Sequence, residues 1–209
     1  MAINLDNVEK ESVRWNRIEE EMVANWCDQS KCFNWMNTEA YSRYSIRAIV
    51  MSITTNTIIS LSGVANLIVG GGMIPIDQSK ISLIFGCVSI SVGIVNMIQD
   101  KLNWNVLANN FKQSAGRWGI ITRKIQEILA MPRSCRGDCG AFLKYIKQDI
   151  SDASDTNSMI PKDIREMCNE KFRHIKDFDV PDICGQVEHT IFYRHISNPN
   201  QDSLTPLLK

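Results

Sequence analysis

Apolar and polar positions divide this chain into helical segments of two kinds. Before residue 48 and after residue 100, apolar residues recur every three or four positions, the spacing of one face of an α-helix. Between residues 48 and 99 the sequence is apolar almost throughout, apart from one short polar interval. The pattern predicts an all-α membrane protein: a two-helix transmembrane hairpin continued by an amphipathic helical stalk and short soluble helices.

The two apolar segments are marked by the absence of charge. No Asp, Glu, Lys, Arg or His occurs from 48 through 76, or from 81 through 99. Spans 48–70 and 81–99 would measure roughly 34 Å and 28 Å as helices, close to the ~30 Å hydrocarbon core of a bilayer. The glycine-rich interval between them predicts the hairpin turn. A hairpin buried inside a soluble helical protein is the alternative, since both spans carry polar side chains.

Basic residues give the expected orientation of the hairpin. Lys80 is the basic residue of the turn, whereas five lie close to the outer ends of the spans: Arg43, Arg47, Lys101, Lys112 and Arg117. Because basic residues concentrate on the cytosolic side of membrane proteins, both termini are expected there.

Small and polar residues follow one face of each span at helical spacing. On the first span they are Ser52, Asn56, Ser60, Gly63 and Asn66, and on the second they are Ser82, Gly86, Ser89, Gly93 and Asn96. Such stripes let helices approach closely and hydrogen-bond, which predicts helix packing and a homo-oligomer. The other interpretation is a water-filled path through an oligomer, because the same residue types line pores.

The soluble parts divide into three regions. Residues 1–47 are expected to form an amphipathic helix beginning near Asp6, residues 101–175 a cytosolic helical module, and residues 176–209 an irregular tail. The stem after the second span is expected to pack against the N-terminal helix and to end at Pro132. Six aromatic residues are candidates for a protein-contact face: Trp15, Trp26, Phe33, Trp35, Trp104 and Trp118.

Composition excludes several functional classes. The 23 basic and 23 acidic residues balance, so no basic face for nucleic acid is expected. The common nucleophile, nucleotide and metalloprotease motifs do not occur, and we predict no enzyme activity, cofactor or metal. Cys168, Cys184, His189 and His195 match no standard zinc spacing. The Cys135–Cys139 segment contains Arg-Gly-Asp, which we interpret as a turn on the cytosolic side.

Short motifs in both halves resemble the SLATT-type two-transmembrane family, particularly members encoded by large nucleo-cytoplasmic DNA viruses. The resemblance covers roughly Trp15 to Phe172 and rests on four motifs: Trp26-Cys27-x4-Cys32-Phe33-x-Trp35, Leu61-Ser62-Gly63-Val64-Ala65-Asn66, Met131-Pro132-Arg133 with Arg136-x-Asp138-x3-Phe142-Leu143, and Ile160-Pro161. It implies a membrane hairpin with a cytosolic helical module.

Two functions follow from that resemblance. Viral members allow a structural role, with the hairpin in the internal virion membrane or a host intracellular membrane and the soluble part holding the capsid or other viral proteins. Cellular relatives imply a pore-forming effector. The expected partners are therefore the lipid bilayer, further copies of the chain and, in the structural role, another protein.

Overall fold

The computed structural model describes residues 15–70 and 78–185, and these residues form helices and loops without a strand. The helices are α1 (Arg17–Gly70), α2 (Gln78–Leu102), α3 (Trp104–Ala130), α4 (Cys139–Asp155) and α5 (Lys162–Phe172). Short 3-10 turns cover Arg133–Cys135 and Asp182–Cys184. The all-helical prediction is confirmed. Two of the helices are long and apolar enough to cross a membrane.

Helix α1 combines the predicted N-terminal helix and first span in one element of 54 residues. Its start is set by a capping box: Glu19 N donates to Asn16 Oδ1 and Asn16 N donates to Glu19 Oε2, each at 2.9 Å. The predicted helix start near Asp6 lies outside the described residues. At about 1.5 Å per residue, α1 is roughly 80 Å long.

The predicted continuous second helix is interrupted at one residue. Asn103 adopts a left-handed conformation, with φ 44° and ψ 42°, and separates α2 from α3. Asparagine tolerates this region better than most residues because its short amide makes local hydrogen bonds. Helix α3 ends at Ala130, just before Pro132, as the sequence predicts.

Helices α1 and α3 pack along their length and form two apolar clusters. In the outer cluster, farther from the hairpin, α4 covers the pair, and Val23, Trp118 and Ile146 are buried. In the inner cluster, nearer the hairpin, α5 covers the pair, and Met36 and Phe111 are fully buried. The predicted pairing of the stem with the N-terminal helix is therefore observed.

The predicted tail contributes to this second cluster. Between residues 176 and 185 the backbone is irregular apart from one short turn, yet Val180 and Cys184 are buried. Gln29 on α1 donates from Nε2 to Asp179 Oδ2 at 2.7 Å. The module thus extends ten residues beyond the expected boundary at 175, and the rest of the tail lies outside the described residues.

Candidate functional site

The two apolar helices meet along a seam with a polar contact near one end. Thr55 is buried between them, and Gln99 Nε2 donates to Thr55 Oγ1 at 3.3 Å. Other seam residues are partly buried, at three- and four-residue spacing: Met51, Ser62 and Ala65 on α1, and Phe85, Val88, Val92 and Val95 on α2. A hydrogen bond between otherwise apolar helices fixes their register.

The predicted stripes lie beside this seam. Apart from Ser60, and leaving aside Ser82, each stripe residue follows a seam residue by one position, as Asn56 follows Thr55 and Gly93 follows Val92. One residue turns a helix by about 100°. Because α1 and α2 run antiparallel, a rotation of about 100° away from the seam on each helix points in the same direction. Both stripes therefore lie on the same side of the hairpin. We call this surface the stripe face: Ser52, Asn56, Gly63, Asn66, Gly86, Ser89, Gly93 and Asn96.

The stripe face does not hold the two spans of one chain together. Its members are exposed, except Asn96, which is partly buried. Asn56 Nδ2 donates to Ser52 Oγ of its own helix at 3.5 Å, and Ser60 Oγ donates to the Asn56 carbonyl at 2.8 Å. An added Cβ would meet open space at Gly63 and Gly93, and likewise at Gly86. The side chain of Ser82 lies outside the described residues.

A groove of about 500 Å³ occupies the opposite side of the hairpin. Thr54, Cys87 and Ser91 line it, and each precedes a seam residue by one position. The same antiparallel geometry explains this, because residues one position before the seam point to the side opposite the stripes. The hairpin therefore has one small and polar face and one mainly apolar groove.

The stripe face ends at a polar cavity where the charge-free spans stop. This cavity of about 140 Å³ is lined by Ser52 from α1 and by Asp100 and Asn103 near the end of α2. Asp100 follows Asn96 by four positions, so it continues the α2 stripe. Trp104, a predicted contact residue, lies partly buried at this cavity.

The other predicted contact aromatics pack within the chain itself. Trp15 and Trp118 are buried, and Phe33 stacks on Trp118 with ring centroids 4.5 Å apart. Trp35 meets the edge of Phe172 at 6.0 Å. Trp26 is partly buried against the outer cluster. The expectation of an aromatic face open to another protein is therefore corrected: Trp15 packs against Phe142 on α4, Phe33 and Trp118 join α1 to α3, and Trp35 joins α1 to α5.

The Arg-Gly-Asp segment is held as a structural turn. Arg136 donates from Nη1 to Glu20 Oε1 at 2.5 Å, and from Nε and Nη2 to the carbonyls of Met131 and Leu129 at 2.9 and 3.1 Å. Asp138 caps α4 by accepting from Ala141 N at 2.8 Å. The Arg136 side chain is only 7% exposed, so it is not available to an outside receptor.

Two arginines set the ionisation of Glu20. The hydrogen bond from Arg133, together with that from Arg136, lowers the pKa of Glu20 to about 2, although partial burial acts in the opposite direction. The carboxylate is therefore charged at every physiological pH. Arg136 also lies over the Trp15 ring at 5.2 Å, which ties the helix start to the turn.

Cysteine and histidine positions bear on the zinc alternative. Cys168 and Cys184 lie together in the inner cluster, whereas His189 and His195 lie outside the described residues. Within residues 15–70 and 78–185, no three metal-ligating side chains are arranged so that they could hold a metal ion. The cysteines of the described ranges are free thiols.

Sequence reasoning missed the seam, although a signal for it was present. Thr55 and Gln99 are polar residues of the spans that the Ser, Asn and Gly pattern does not include. The positions 51, 55, 58, 62 and 65 repeat at heptad spacing, which is typical of a helix-pairing seam. The more conspicuous Ser, Asn and Gly pattern lies one position later.

Comparison of the chain with family models, with curated proteins and with solved structures found no match.

Proposed function

We propose that this protein is a non-enzymatic, two-span integral membrane protein that anchors and scaffolds an assembly. The observation that carries the proposal is the exposure of the apolar side chains of the spans. Leu67 is 77% exposed, Leu83 70% and Ile90 67%. A buried hairpin in a soluble protein would cover such residues, whereas lipid accepts them.

Charge supports an orientation with both chain ends cytosolic. Arg47 lies over the ring of Tyr44 at 5.6 Å, and Lys112 over Tyr41 at 5.7 Å, so cations and aromatic rings meet just below the spans. Interfacial aromatics and basic residues are typical of this level of a cytosolic membrane surface.

The stripe face favours association with further copies of the chain. Asn56 and Asn66 are exposed on α1, and Asn66 lies beside the exposed apolar residues Val64 and Leu67. An amide facing lipid loses its hydrogen bonds to water, which makes contact with another polar surface favourable. The glycines leave room for a neighbouring helix to approach.

The resemblance to viral SLATT-type proteins extends the proposal to a virion membrane of a large DNA virus, with the soluble module holding capsid or another viral protein. Since the aromatic face is occupied within the chain, the docking surface has to be formed by other exposed residues and by the tail. Met159, in the loop before α5, is 94% exposed.

A homo-oligomeric pore is the second candidate, and the joining of both stripes on one side of the hairpin favours it. Copies that turn this face inward would line a path with Asn56, Ser89 and Gly93, and would place Asp100 near its cytosolic mouth. Carboxylate rings at such positions favour cations.

Membrane flotation tests the first claim. Expressed protein should float with lipid vesicles, resist carbonate extraction, and require detergent for purification. Recovery as a monodisperse soluble protein without detergent would overturn both candidates.

Single cysteines distinguish the two functions. In a background without native thiols, cysteines at Asn56, Ser89 and Gly93 are compared with outward-facing controls at Val64 and Ile90. Reaction of the stripe positions alone with a charged, membrane-impermeant reagent supports the pore. If the stripe positions do not react but cross-link between copies on oxidation, the result supports an anchor whose stripe face packs without water. If they neither react nor cross-link, association through the stripe face is contradicted.

A further inference from the structure

Three thiols and a thioether meet in the inner cluster of the soluble module. Cys32 on α1, Cys168 on α5 and Cys184 in the turn Asp182–Cys184 are all buried. Cys184 Sγ lies 3.8 Å from Met36 Sδ. Cys168 lies close enough to both Cys32 and Cys184 for these two thiols to shift its pKa, so it is the central thiol of the group.

The backbone favours one of the two pairs that Cys168 could join. Arg165 Nη1 donates to the Ile183 carbonyl at 3.3 Å. Arg165 and Cys168 are three positions apart and share a face of α5, while Ile183 and Cys184 are neighbours in the turn. Two successive turn residues therefore lie against one face of α5, which aligns Cys184 with Cys168.

Disulfide geometry supports the same pair. A disulfide needs Cα atoms about 4.4–6.8 Å apart and a specific torsion angle, so at least one partner has to be free to adjust. Linking Cys32 to Cys168 would join two helices whose positions are fixed by the cluster. The turn that carries Cys184 is three residues long and lies at the edge of the module, so it has more freedom to adjust.

We propose that Cys168 and Cys184 are an oxidation site that forms a disulfide and fastens the start of the C-terminal tail to α5. With a peroxide as oxidant, one thiol is oxidised to a sulfenic acid and the peroxide is reduced to water. The second thiol then attacks the sulfenic sulfur, the S–S bond forms, and a second water leaves. The net reaction consumes two thiols and one peroxide and gives one disulfide and two waters.

The surroundings make this reaction slow in the closed fold. The hydrogen bond from Cys184 lowers the pKa of Cys168, but its hydrogen bond to Cys32 and its burial outweigh this and raise it to about 12. The hydrogen bond to Cys168 and burial also raise the pKa of Cys184. Since the thiolate is the reactive form, we expect oxidation to follow transient opening of the 182–184 turn.

Peptide mapping of the full chain in detergent tests the proposal without a substitution. The protein is treated with hydrogen peroxide, alkylated and digested with trypsin under non-reducing conditions. Exposed Cys135 reports that the oxidant acted, by losing its reaction with a maleimide. We expect peptide 166–171 linked to peptide 177–194, and a dithiol-reducing agent should separate them.

Two variants complete the test. Cys32→Ser should retain the linked peptide pair, and Cys184→Ser should lose it. Peptide 32–43 linked to 166–171 in the unmodified protein would overturn the assignment. So would separate alkylation of Cys168 and Cys184 in samples whose Cys135 is fully oxidised. Neither result depends on membrane insertion or on the function of the hairpin.

Discussion

Arg136 and Glu20 are joined by a hydrogen bond of 2.5 Å between residues 116 positions apart. The same guanidinium also donates from Nε and Nη2 to the carbonyls of Met131 and Leu129 at the end of α3. One buried side chain therefore pairs with α1, closes the C-terminus of α3 and orients the turn into α4. Free helix-end carbonyls need such donors when water is excluded.

Replacing Arg136 should destabilise the soluble module more than any nearby exposed arginine. Arg136→Gln leaves the Glu20 carboxylate without its buried partner and two carbonyls without donors, so we expect a loss of about 3–5 kcal/mol. Arg133→Gln is the matched control, because Arg133 is more than half exposed, and it should cost clearly less than Arg136→Gln. Thermal unfolding in detergent measures both; equal losses would contradict the role given to Arg136.

The stability contributed by Glu20 should depend on pH. Its pKa is lowered from 4.5 to about 2 in the fold, so the contribution is fully present above pH 4.5 and is lost as pH falls towards 2. Glu20→Gln should lower the melting temperature at pH 7, and the difference from the unmodified protein should shrink at pH 3. An unchanged difference at the two pH values would argue against ionised Glu20 as the cause.

Two glycines on α3 should respond differently to alanine. An added Cβ at Gly116 meets open space, and Gly116→Ala should stabilise the helix by about 0.5–1 kcal/mol. At Gly119 the Cβ would lie 2.6 Å from Asn34 Nδ2, so the Asn34 side chain must move and the gain should be reduced or reversed. Denaturant unfolding of the two variants side by side checks this; a larger gain at Gly119 would contradict the close packing of α1 and α3.

The break between α2 and α3 should depend on the residue at 103. Asn103→Gly should preserve it, because glycine enters the left-handed region freely. Asn103→Ala should cost about 1 kcal/mol or straighten the joint, whereas Asn105→Ala, inside α3, should cost little. Distances between spin labels on α2 and α3 measure the angle between the two helices. An unchanged distance and an unchanged stability in Asn103→Ala would show that the left-handed conformation does not restrict the residue at 103.

Much of the architecture was predictable because charge and helical spacing are local signals. The charge-free spans, the stem ending before Pro132 and the pairing of α1 with α3 all follow from residue patterns. The helix start at Asn16 required knowledge of which of several capping residues is used, and the break at Asn103 depends on one backbone conformation. Neither has a strong local signal.

The candidate site was predicted less well, because sequence spacing shows which residues share a face but not what that face meets. The Ser, Asn and Gly stripes were identified, yet the seam formed one position earlier, around Thr55. The sequence assigns Trp118 to a contact with a partner protein, but Trp118 on α3 is covered by α1 of the same chain, where Phe33 stacks on it. The Arg-Gly-Asp sequence predicts a turn, but nothing local to it indicates that Arg136 pairs with Glu20 on α1.

Helix α1 runs without interruption from the capping box at Asn16 into the apolar span. From Arg17 to Arg47 it covers roughly 46 Å at about 1.5 Å per residue, whereas the neighbouring helices α2 and α3 are separated by the break at Asn103. If the span sits in a bilayer, the protein acts as a spacer of fixed height. Whatever binds the end of the module around Trp15 would be held at a set distance from the lipid surface, and lengthening α1 by whole turns would change that distance in steps of about 5.4 Å.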